Sequence, residues 1–183
     1  MKSAIEFRSP DAGYDDPVGM WLACHQRVKR FAALLGRVSQ HLEQSGADEE
    51  AQRAAASIRR YFNEAAPRHH EDEEEDLFPL LRERAAAEDE PALAAMDRIE
   101  AEHLELAALW REVDALLARV CSGERVAIAP ELAARFAAAY DRHIETEEGV
   151  ILTALRRVLR PADWQQVGRS MAGRRGLEWD ELA

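Results

Sequence analysis

From Asp15 to Met171 the chain reads as long runs of helical periodicity separated by a few short breaks. Val28, Phe31, Leu35, Val38 and Leu42 recur every three or four residues, the spacing of one buried helix face. Asp15-Asp16-Pro17 marks the start of this run, with acidic residues ahead of a first-turn proline. Ser45-Gly46 marks its end, so a first helix is predicted over 17–45. Asp48, followed by Glu49 and Glu50, opens a second helix that runs to Arg84. Pro67 falls inside it and predicts a kink or a local break. Beyond Glu88-Asp89-Glu90 and Pro91, a third helix spans 91–121 and stops at Ser122-Gly123. Pro130 opens a fourth, to Leu159, and Pro161 a short fifth around Trp164, Val167 and Met171. The tail GRRGLEWDELA is polar and is expected to pack loosely. Long helices joined by short loops predict an all-α, up-down-up-down four-helix bundle with a short C-terminal fifth helix. The expected organisation is an N-terminal extension over 1–16, a bundle over 17–160, and a helix and tail over 161–183.

The second and fourth helices repeat one another. At an offset of 74, FNEAAPRHHEDEEEDLFPLLR (62–82) aligns with FAAAYDRHIETEEGVILTALR (136–156), with nine of 21 positions identical. The shared positions include His69/His143, Glu73/Glu147 and Glu74/Glu148. The first and third helices match more weakly at an offset of 78, pairing His25 with His103 and Val28 with Leu106. Each half is then a helix with one seam histidine, followed by a helix with His-x-x-x-Glu.

Residues four apart share a helix face, about 5–6 Å apart at Cβ. His69/Glu73 and His143/Glu147 can therefore each present an imidazole and a carboxylate to one centre, which His25 and His103 face from the apolar seam. Two uncompensated buried carboxylates would cost several kcal/mol each, and a cation supplies the compensation. Imidazole with carboxylate suits iron, manganese or zinc better than calcium or magnesium. Six donors exceed the four of a closed zinc site. They suit two six-coordinate irons with bridging glutamates and an oxo or hydroxo bridge, leaving about two positions for a small ligand.

Taken singly, the parts have plainer readings. His25 or His103 alone is an ordinary core histidine, residues 71–76 a solvated acidic face, and Tyr140 a packing residue. His41 lies 16 residues, about 24 Å of helix, beyond His25 and reads as surface. His70/Glu74 competes with His69/Glu73 at the same spacing; the repeat favours His69, because Ile144 fills the place matching His70.

Composition narrows the function. Ala, Leu, Glu and Arg, strong helix formers, dominate. With 35 acidic against 24 basic residues the net charge is −11, which opposes binding to nucleic acid or to an anionic membrane surface. Cys24 and Cys121 make no disulfide framework and read as packing residues. The N-terminus has no apolar leader segment, so a cytoplasmic location is expected.

CHQRVKRF around His25, HHEDEEEDLFPLL around His69, EAEHLEL around His103 and HIETEE around His143 together resemble the hemerythrin/HHE cation-binding family over residues 15–160. The resemblance implies a non-haem di-iron centre in an up-and-down bundle, its ligands falling on His25, His69, Glu73, His103, His143 and Glu147. Oxygen-carrying members have two ligand histidines four apart on the third helix; here Ile99 and Ala107 flank His103 at that distance. A four-His, two-Glu set is similar to bacterial di-iron proteins that repair iron–sulfur clusters under oxidative or nitrosative stress, and to iron- and oxygen-sensing members. Repair proteins commonly add an N-terminal cysteine-bearing domain. A stand-alone domain is expected here, binding or sensing O₂, NO or iron, with di-iron oxidoreductase or cluster-repair activity as the alternative.

Overall fold

The computed structural model describes residues 13–178, and every regular element among them is helical. Helix α1 spans Pro17–Ser45. Asp16 Oδ1 accepts the Gly19 N–H at 2.8 Å, capping the first turn. Gly46 ends the helix at φ 71°, the left-handed region that favours glycine. Helix α2 occupies 49–84, as segments Glu49–Arg60, Ala66–Asp72 and Phe78–Arg84 joined by π turns at Tyr61–Ala65 and Glu73–Leu77. Helix α3 is Glu90–Cys121. Helix α4 occupies 130–158, as Pro130–Thr146 and Leu152–Val158 around a π turn at Glu147–Ile151. Helix α5 is Pro161–Arg174. No helix among the described residues is long and apolar enough to cross a membrane. The expected extension up to residue 12, and residues 179–183 of the expected tail, lie outside the described residues.

Pro67 does not break α2. In the π turn before it, the Ala66 N–H bonds to Tyr61 O. This wider turn absorbs the missing proline donor and relieves the ring from the preceding carbonyl. Pro79 follows the turn Glu73–Leu77 by the same two residues.

Helix α1 lies against α2 and α4, and α3 against the same two. Cross-helix bonds run in descending register. Arg59 meets Asp114 at 2.8 Å and Arg82 meets Glu100 at 2.8 Å between α2 and α3. Between α3 and α4, Arg135 meets Glu112 and His143 meets Glu102. Tyr61 Oη donates to Cys24 O at 3.1 Å between α1 and α2.

The seams are heptad-like. In α1 the buried positions include Val18, Trp21, His25, Val28, Ala32, Leu35, Ser39 and Leu42, alternating three and four apart. In α3, Met96, Ile99, His103, Leu106, Trp110, Val113, Leu117 and Val120 do the same. His25 and His103 thus occupy seam positions, and at their level the apolar core divides. One cluster, with Leu35, Ile58, Phe62, Val113 and Phe136, lies on one side. Another, with Trp21, Leu77, Met96, Ile99 and Ile151, lies on the other, and α5 adds Val167 and Met171 to it. A polar layer therefore crosses all four long helices between two apolar ones.

The first residues of the expected loose tail are firmly held. Arg174 meets Asp72 at 2.8 Å and Asp76 at 2.6 Å, and Arg175 meets Asp72 at 2.6 Å. These arginines neutralise a buried aspartate one residue before Glu73, and so dock α5 onto the π turn.

A second clamp joins α2 to α5. The Arg84 guanidinium grips both Asp163 oxygens, while Asp163 Oδ2 also accepts the Arg160 N–H at 2.7 Å. Bonding to Arg84, then to the Arg160 N–H, holds the Asp163 carboxyl down at about 2. Its folded pKa lies below its unfolded value near 4, so its contribution is complete above about pH 4 and is lost as pH falls toward 2. Arg84→Met should lower the melting temperature by about 2–4 °C at neutral pH, a modest loss for a domain of this length. Melting curves of variant and wild type, followed by circular dichroism, should converge near pH 2; an unchanged gap there would contradict this account.

Candidate metal centre

The polar layer is assembled from the repeat. Glu73 and Glu147, equivalent at the offset of 74, each open a π turn: Phe78 N–H bonds to Glu73 O and Leu152 N–H to Glu147 O. The repeat therefore extends to the backbone, and π turns concentrate at functional sites. Each glutamate stays one turn from its histidine, with His69 Nε2 3.1 Å from Glu73 Oε1 and His143 Nε2 3.3 Å from Glu147 Oε1. The seam histidines take the other oxygens. His103 Nε2 lies 3.2 Å from Glu73 Oε2, and His25 Nε2 lies 3.2 Å from Glu147 Oε2.

Two donor clusters result. His25, His69, Glu73 and Glu147 form one, and His103, His143, Glu73 and Glu147 the other; within each, the donor atoms all lie within 4.8 Å of one another. All six residues singled out by the sequence converge here. Both carboxylates belong to both clusters, and each points one oxygen toward each. The close approaches are poorly aligned as hydrogen bonds: Nε2 of His25, His103 and His143, Glu73 Oε2 and both Glu147 oxygens are buried without a hydrogen-bond partner. Buried polar atoms left this way are costly. Imidazole nitrogens and carboxylate oxygens converging on common points fit a cation, so the clusters could hold metal ions.

An outer set of groups fixes the rings. Glu148 Oε1 lies 2.9 Å from His25 Nδ1, Glu74 Oε1 2.5 Å from His103 Nδ1, and Glu102 Oε2 3.0 Å from His143 Nδ1. Engaging Nδ1 turns each Nε2 inward, as outer carboxylates do for metal-ligating histidines. Glu74 and Glu148 are repeat equivalents, each holding the seam histidine of the other half. Trp21 Nε1 donates to Glu73 Oε1 at 2.5 Å. The sequence reading treats Glu74 only as the competitor of Glu73; the structure gives it this separate place.

His70 is the other addition. Its ring stacks on His103, centroids 3.9 Å and planes 10° apart, and its Nε2 is buried without a partner. The repeat favours His69 over His70 in the sequence; in the structure α2 turns both rings into the layer, each within a different donor cluster. His41 stands apart, 3.0 Å from Asp48. Tyr140 is buried against Phe62 and Phe136, with its ring edge-on to His143 at 6.4 Å, and burial pushes its hydroxyl upward.

Electrostatics reflect the crowding. Burial, then repulsion from Glu147, pushes the Glu73 carboxyl up to about 7. Burial also works to raise Glu147, but the adjacent His143 and His25 imidazoles outweigh it and hold that carboxyl well below its usual value. Burial disfavours the charged forms of His25, His103 and His143, yet the neighbouring carboxylates prevail and raise all three, His143 to about 9. His69 and His70 go the other way, lowered by burial and then by adjacent histidines. Imidazolium protons thus balance the carboxylates where no cation does so.

Comparison with known proteins agrees with this geometry. The family model described as the hemerythrin HHE cation binding domain matches residues 16–155. An uncharacterized protein of Haemophilus influenzae is 34% identical over 167 residues, a stretch covering 91% of this chain and 94% of the relative.

Proposed function

The chain belongs to the hemerythrin HHE cation-binding family, and on that premise we propose that it is a cytoplasmic non-haem di-iron protein that binds or senses O₂, NO or iron. His25 and His69 would hold one iron, His103 and His143 the other, with Glu73 and Glu147 bridging them. The observation that carries this reading is the pair of buried carboxylates, each with one oxygen toward either donor cluster. Iron held by these residues would supply redox-active Lewis-acid chemistry toward a diatomic molecule.

The chain's own residues do the rest. Glu148, Glu74 and Glu102 orient the imidazoles, and Trp21 orients Glu73. The apolar clusters on either side exclude water from the layer. The descending register of the cross-helix bonds supports an up-down-up-down bundle, in which four separate helices meet at the centre. The acidic surplus of the chain argues against nucleic-acid or anionic-membrane partners.

The test is a titration of the reduced, iron-loaded protein with NO, and separately with O₂, in the presence of excess reductant. A binding protein should take up about one equivalent per di-iron centre, change its visible spectrum once and stop. Sustained consumption of NO, O₂ or peroxide would replace this reading with an oxidoreductase.

A further inference from the structure

We infer that His70 is a seventh protein ligand of the metal centre, completing with His103 and His143 a three-imidazole set on one side only. The inference rests on the two-metal reading above and concerns its symmetry. Donor atoms of His70, His103 and His143 lie within 4.8 Å of one another, as close a grouping as either cluster already described. The His103 and His143 Nε2 atoms are buried and unpartnered, and so is that of His70.

Stacking on His103 places the ring but leaves that nitrogen unpartnered, and ligation would tilt the His70 ring out of the stack. Packing alone would be served by an apolar side chain, and the repeat shows it: Ile144, at the matching place in α4, lies in the apolar core. An imidazole whose Nε2 is buried without a partner loses hydration with no return unless its lone pair meets a cation. No second histidine comes from α3, where Ile99 is in the core and Ala107 is exposed. The second helix fills that role from a position adjacent to His69, so α2 delivers one imidazole to each cluster. The two metals are thereby inequivalent: two imidazoles, His25 and His69, on one side, and three on the other.

Mössbauer spectroscopy of the full chain loaded with isotopically enriched iron tests this, because each iron gives its own signal. The wild type should show two different doublets of equal area. In His70→Ala one doublet should change and the other stay, and added imidazole should restore the wild-type spectrum. Loss of iron from the variant would also support the assignment, provided that the metal-free forms of variant and wild type melt within about 2 °C of each other. His70→Asn, which keeps bulk but not the imidazole, should behave as His70→Ala does. Superimposable spectra of wild type and both variants, or equal losses of melting temperature with and without iron, would overturn the assignment and leave His70 a packing residue. A wild type that fails to hold two irons would instead overturn the di-iron reading itself.

Discussion

Glu73→Ala and Glu147→Ala are each expected to abolish stable iron binding, with losses beyond the 10- to 100-fold, roughly, of an outer-shell substitution. Each carboxylate is shared by both donor clusters, so one substitution removes an oxygen from either metal. The two variants should resemble each other, since the repeat makes the positions equivalent. Glu74→Ala should be milder, about 10- to 100-fold in affinity, because it frees His103 Nδ1 and takes no donor from the centre. Competition against a chelator, anaerobically, gives these ratios. Stability supplies a control. Glu73 and Glu147 are fully buried, and without a cation their desolvation opposes folding. Glu73→Ala removes that cost together with the Trp21 and imidazole contacts, so it should change the melting temperature of the metal-free protein much less than that of the iron-treated one, which it should lower. Iron retained by Glu73→Ala but lost by Glu74→Ala would show that His70 and Glu74 form the primary pair on α2.

Iron itself should produce the largest change in stability. His25, His69, His103 and His143 lie on α1, α2, α3 and α4, so a metal pair ties all four together at the level where the apolar core is interrupted. Metal that binds only the native state adds RT ln(1 + [L]/Kd), about 4 kcal/mol at a thousandfold excess over Kd. In a domain of this length that is roughly 10 °C in Tm. The metal-free form should remain helical, because the seams on both sides of the layer are intact. The gap between the forms should narrow from about pH 7.5 to about pH 5, since a ligating imidazole must first shed its proton. Equal melting temperatures at the higher pH, with iron in one sample only, would place the iron outside the layer.

Much of this molecule is legible in its sequence because local chemistry decides it. Asp16, Gly46 and Asp48 set helix ends through bonds made within a few residues, and Pro17 and Pro130 set helix starts through their fixed backbone angle. The His-x-x-x-Glu pairs are legible for the same reason, since helical geometry alone places both side chains on one face. The rest depends on partners far along the chain. Glu148 reaches His25 across 123 residues, and Glu74 reaches His103 across 29. Asp72 sits in an acidic run that resembles a solvated face, yet it is buried and paired with Arg174 and Arg175 at the end of α5. The π turns leave little trace in hydrophobic periodicity, so Pro67 reads as a kink or a local break. His70 is hidden by symmetry: Ile144 in the matching place favours one histidine over the other, whereas the layer uses the repeat unequally.

The central claim is that two metal ions share Glu73 and Glu147 between four helices. Iron analysis of the full chain, reconstituted anaerobically and freed of loosely bound metal, tests it most directly when read together with the spectrum of the oxidised protein. About two irons per chain, with charge-transfer bands in the near ultraviolet, are expected. Zero or one iron per chain after full reconstitution would contradict the claim.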